Sequence, residues 1–90
     1  MEASNEDLRL TILGCFRYSL GRMTYMPSHT VMMIKNNKDI FRKQDWESFQ
    51  KEILECKDLG MECDRNTWKE LVDFSITQSH GKRYNKEDSN

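Results

Sequence analysis

Apolar residues recur along this chain at helical spacing. Leu8 and Ile12, then Cys15 and Phe16, then Leu20 and Met23 repeat every three or four positions. That pattern predicts a first helix over about residues 5–22. Ser4 or Asn5 can cap its start, and Glu6 and Asp7 suit its positive end. Pro27 disfavours helical geometry at Met26 but is welcome in a first turn, which places a break over Met23 to Ser28. A second helix then runs to about residue 36, with Thr30, Val31 and Ile34 inward. Met32 and Met33 are adjacent, so at least one of them meets solvent or a partner.

The second half is patterned more strongly. Lys38 to Gln44 reads as a basic connector whose Ile40 and Phe41 plug the core. Asp45 is a suitable cap for a third helix on which Trp46, Phe49, Ile53 and Cys56 form an amphipathic stripe, stopped at Gly60. Asp64 can cap a fourth helix, with Trp68, Leu71, Val72 and Ile76 inward and Gly81 at its end. No stretch alternates with period two for long enough to predict a strand. The expected fold is all-α: four short helices in one compact domain over residues 1–81, followed by a polar, disordered tail over 82–90.

Charge adds a polarity that the apolar pattern does not show. Residues 1–44 carry seven bases and four acids, whereas residues 45–73 carry four bases and nine acids. The overall net charge of −1 argues against strong sequence-independent DNA binding, which needs a basic footprint. The acidic second half reads as solvated surface, interrupted as it is by Lys51, Lys57 and Lys69. Its alternative reading is a carboxylate surface that imitates a nucleic-acid backbone. The start of the chain has no signal-peptide core, and no apolar run approaches membrane-spanning length. Three cysteines, Cys15, Cys56 and Cys63, are an odd number, and the first two fall on apolar faces. A soluble, cytoplasmic protein without disulfides is expected.

Catalytic and metal-binding patterns are not found. Cys56 and Cys63 lie too far apart for a typical zinc pair, and the only histidines are His29 and His80. No cysteine or serine has an evident base, no glycine-rich phosphate loop follows a strand, and Glu52 and Glu55 read as a solvated helix face. The expectation is a protein that is not an enzyme and needs no cofactor.

The stretch from Cys15 to Pro27 is the unusual one. It holds Arg17, Arg22, Tyr18, Tyr25 and Gly21. On a continued helix Tyr18, Arg22 and Tyr25 share one face, and Gly14, Arg17 and Gly21 a neighbouring one. Glycine weakens a helix interior, so two of them flanking Arg17 suggest that something approaches that backbone closely. Another helix of the same protein, with arginines stacked on tyrosines, would explain this. So would a surface that receives a partner, made of Arg17, Tyr18, Gly21, Arg22, Tyr25 and His29.

The residues Phe16-Arg17-Tyr18-Ser19-Leu20-Gly21-Arg22-Met23-Thr24-Tyr25 resemble a signature of small bacteriophage and prophage proteins, roughly Phe-Arg-Tyr-Ala-Leu-Gly-Arg-x-Thr-Tyr. Leu59-Gly60-Met61-Glu62-Cys63-Asp64 followed by Trp68 is similar to a downstream segment of that family. Ser19 and Met23 depart from the pattern. No activity is established for the family, so the resemblance implies a context only: a phage or mobile-element accessory protein in the cytoplasm of a bacterial host. By analogy with other small phage proteins it would bind a host or phage protein, as an inhibitor of a defence system of the anti-CRISPR kind. The alternative from the residues themselves is a nucleotide or single-stranded nucleic-acid binder, with tyrosines on bases and arginines on phosphate.

Overall fold

Helix α1 (Asn5–Gly21) begins at the cap that the sequence offers. Ser4 Oγ accepts the Asp7 N–H at 3.0 Å, and the Ser4 carbonyl accepts the Leu8 N–H. The computed structural model describes residues 4–21, 27–57 and 59–81. Three further α-helices follow within them: α2 (Pro27–Asn36), α3 (Lys43–Glu55) and α4 (Glu62–Ile76). A short 3-10 turn (Lys38–Ile40) precedes α3, and a π turn (Thr77–Gly81) continues α4. The all-α fold with four helices is as the apolar spacing implied, and no strand occurs among the described residues.

The core is aromatic at its centre. The Phe49 ring of α3 meets Phe16 of α1 at 4.8 Å, Trp46 at 5.4 Å and Phe41 of the connector at 5.6 Å, all edge to face. Phe16 also meets Trp68, and Trp46 meets Phe74, so α4 joins the same cluster. Helix α2 adds Val31 and Ile34. The expected inward positions Thr30, Trp46, Ile53, Leu71 and Val72 are all buried. Gln50 Nε2 donates to Ser79 Oγ at 3.3 Å, which sets the π turn after α4 against the middle of α3, and Trp46 near the start of α3 meets Phe74 near the end of α4. The two helices therefore run antiparallel across a short loop.

Several boundaries and facings differ from the sequence reading. Asp45 does not cap α3 from outside. It sits on the third helical position, and its carboxylate accepts the Arg42 N–H at 2.9 Å. Helix α3 stops at Glu55 rather than at Gly60, because Cys56 is extended and its N–H turns back to Ile53. Gly60 has a φ of 82°, a left-handed turn that brings the chain back toward α4. Met61 occupies the cap position of α4, and Asp64 lies inside the first turn, where it favours the helix dipole. Ile76 is exposed while Ser75 is fully buried, since Trp68, Leu71, Val72 and Ser75 complete the i, i+3, i+4, i+7 stripe. Similarly, Leu8 is exposed and Leu13 takes an inward place, and Cys15 is only half-buried. Of the expected break over Met23 to Ser28, Pro27 and Ser28 already belong to the first turn of α2, where proline's fixed φ suits a helix start. Met23 to Met26 lie outside the described residues, as does the tail from residue 82.

One buried charge pair joins α1 to α3. Arg9 is 7% exposed and Asp45 5%. Arg9 Nε and Nη2 donate to the two Asp45 oxygens at 2.6 and 2.8 Å, a bidentate arrangement. Glu6 bridges Arg9 and Arg42 on the outside. Burial by itself would push the Asp45 carboxyl up, but the Arg9 hydrogen bonds, the Arg42 N–H and both guanidinium charges outweigh it, so Asp45 titrates below its ordinary value of 3.8. Such a depressed carboxyl contributes stability that is complete above the unfolded-state value and is lost as pH falls through the folded-state one.

Two expectations follow. Asp45→Ala should lower stability by about 3 kcal/mol, because Arg9 is left buried and unpaired. Asp45→Asn should flatten the loss of stability that the parent protein shows below about pH 4, near the usual carboxylate range. Urea titrations at neutral and acid pH measure both. Separately, the hydroxyls of Thr30 and Ser75 are fully buried with no hydrogen-bond partner. Thr30→Val should therefore raise stability by about 1 kcal/mol, read as a higher thermal midpoint.

Candidate functional site on the outer face of the first helix

After Asp7, α1 contains no acidic residue, and its charged residues are Arg9 and Arg17 alone. Arg9 is turned into the core. Between Leu10 and Gly21 the exposed positions are Leu10, Thr11, Gly14, Arg17, Tyr18 and Gly21. At about 100° per residue these six fall within an arc of about 120°. Between Leu10 and Gly21 the solvent face of α1 thus carries one charge, Arg17, while exposed Glu6 and Asp7 lie at its N-terminal end. Its two large side chains, Leu10 and Tyr18, are 53% and 54% exposed.

The glycines sit in the same arc. A Cβ placed on Gly14 or Gly21 would meet nothing within 4 Å. No described part of the protein packs over them, which corrects the reading that another helix of the same chain explains these glycines. Arg17 is likewise not a buried structural arginine. Its side chain is 55% exposed, and its Nε and Nη2 reach Glu52 of α3 at 3.3 and 3.4 Å. At such distances and exposure the bridge contributes well under about 1 kcal/mol. It does cancel much of the field that Arg17 would present to an anion.

The structure brings Arg17, Tyr18 and Gly21 onto one surface. Arg22 and Tyr25 lie outside the described residues, as does the turn that would aim Arg22 back toward Arg17. His29 is exposed on the first turn of α2, and the hydrogen bonds of Arg17 go to Glu52 rather than toward it. Leu10 was not singled out from sequence. Its signal was there: Leu10, Gly14 and Tyr18 are i, i+4 and i+8, off the stripe of Ile12 and Phe16. The Arg9–Asp45 pair was equally legible as opposite charges set into two apolar stripes.

Among the described residues no group of three or more His, Cys, Asp or Glu side chains could hold a metal ion. No described helix is long and apolar enough to cross a membrane. The chain matches no protein-family model, no curated protein and no solved structure.

The open space above the glycines can be measured by stability alone. Gly14→Ala should stabilise the protein by about 0.5–1 kcal/mol, since alanine gains helix propensity and meets no clash. Arg17→Ala should change stability by about 0.5 kcal/mol or less, as expected for an exposed pair. Thermal melts of the two variants check both values.

Proposed function

We propose that this chain is a small accessory protein of a phage or other mobile element that acts by docking onto another protein through the outer face of α1. The supporting observation is the make-up of that face between Leu10 and Gly21: Leu10, Tyr18 and Arg17 around two uncovered glycines, with Arg17 the one charge in that stretch. Interface cores are depleted of charge and enriched in aromatic residues and arginine. Tyrosine and arginine also dominate binding hot spots. Glycines between such side chains let a partner's backbone come close to α1. By the sequence pattern Arg22, Tyr25 and His29 also belong to this surface, and His29 is exposed on the first turn of α2.

The phage context rests on the resemblance of Phe16 to Tyr25 to the phage signature. Within that context we propose that the partner is a component of a host defence system and that docking inhibits it. A nucleic-acid or nucleotide site is the weaker reading. Affinity for phosphate needs cations that are not already compensated, and Arg17 shares its guanidinium with Glu52.

The test is a cross-linked capture from phage-infected host cells, repeated with variants of α1. A protein partner should be recovered by the parent chain. Tyr18→Ala should lower its affinity by roughly 2 kcal/mol, about thirtyfold. Gly14→Leu should keep full helicity by circular dichroism and lose the partner, because its side chain fills the space needed for approach. Binding that survives both changes would reject the α1 face. Recovery of an oligonucleotide whose binding weakens steeply with salt would favour the nucleic-acid reading instead.

A further inference from the structure

A second surface lies between the end of α3 and the middle of α4. There an apolar groove of about 300 Å³ is lined by Ile53, Leu59 and Val72, with Leu54 at its edge and Arg65 and Lys69 on the α4 side. Ile53 and Val72 are buried and form its floor. Leu54 and Met61, 73% and 67% exposed, are the two most exposed large apolar side chains among the described residues, and both belong to this end of the helix pair. No acidic side chain lines the groove among the described residues.

Its charge is one-sided. Arg65 and Lys69 are four apart on α4, so they stand one above the other along the groove. Arg65 uses one N–H on the Gly60 carbonyl at 2.9 Å, which leaves its other donors available. Lys69 is exposed and makes no ion pair among the described residues. This contrasts with the rest of residues 45–73, where acids outnumber bases nine to two.

We propose that this groove receives an acidic amphipathic segment of a partner protein. Apolar side chains of the segment fill the space over Ile53 and Val72, and its carboxylates pair with Arg65 and Lys69. The volume is at the lower end of the range for small-ligand pockets, roughly 300–1,000 Å³. The groove also opens onto the exposed Leu54 instead of closing around a ligand. Both features suit one or two side chains presented by a longer element that continues over Leu54. The inference does not rest on the α1 face, and either surface can fail alone.

The experiment uses a library of random 12-residue peptides selected against the full chain. Selected peptides should carry apolar residues three or four apart together with an excess of Asp and Glu. They should shift the amide NMR signals of Ile53, Leu59 and Val72, and their affinity should fall as salt rises. Lys69→Glu, an exposed change that circular dichroism should show to be folded, should weaken them at least tenfold. Selected peptides without an acidic excess, peptides that map elsewhere, or unchanged binding to Lys69→Glu would each overturn the proposal. So would concentration-dependent dimerisation abolished by Leu54→Asp, which would make a second copy of this chain the occupant.

Discussion

The fold depends on the edge-to-face contacts of Phe49. This ring touches Phe16, Phe41 and Trp46, which come from the first helix, the connector and its own helix. A 90-residue chain buries a smaller fraction of its surface than a larger one, so each core contact is a larger share of the total. Aromatic side chains suit that limitation. They bury the most area per residue and add about 0.5–1.5 kcal/mol per well-oriented pair. Four helices with modest individual propensity are thereby fixed around one centre.

The Arg9–Asp45 pair does a different job. A buried ion pair adds little net stability against an apolar substitute, because desolvation offsets much of the attraction. Its geometry is nevertheless selective. Both carboxylate oxygens face one guanidinium, and one of them also holds the Arg42 N–H at the start of α3. A slip of α1 along α3 would leave two buried charges without partners. The pair therefore fixes the register of two helices whose apolar stripes alone would tolerate several, and in the same place it supplies the missing cap of α3. A polar clamp of this kind next to an aromatic core gives the small domain one packing rather than many.

With α1 anchored from within by Arg9 and the apolar stripe, its opposite face is not part of the core. A solvent-facing helix surface usually carries many charges, which α3 and α4 do. The outer face of α1 instead combines leucine, tyrosine, two glycines and a partly neutralised arginine. Gly14 weakens the interior of the helix without relieving any internal clash. That cost is what one expects where approach from outside matters more than stability. The Arg65–Lys69 groove is the complementary case: an apolar recess made by the packing of α3 on α4, with the local charge inverted relative to its surroundings.

By itself the sequence determined the helical class, the inward aromatics Phe16, Trp46, Phe49 and Trp68, and a start of α1 capped at Ser4 or Asn5. These are local matters, set by residue spacing and by a side-chain oxygen within reach of its own backbone. It also marked Arg17, Tyr18 and Gly21 as unusual. Only tertiary structure decided where the caps and ends of α3 and α4 fall. Asp45 had two competing roles, and the pull of Arg9 from 36 positions away placed it inside the helix rather than before it. Gly60 could have ended α3 directly, but the need to return the chain so that α4 packs on α3 moved the end to Glu55 and left the glycine to turn the loop. Whether Gly14 and Gly21 were packed or open was likewise undecidable from spacing, because that depends on which neighbour α1 turns toward. The Arg9–Asp45 clamp and the Phe16–Phe49 contact settle that orientation, and they leave both glycines facing out.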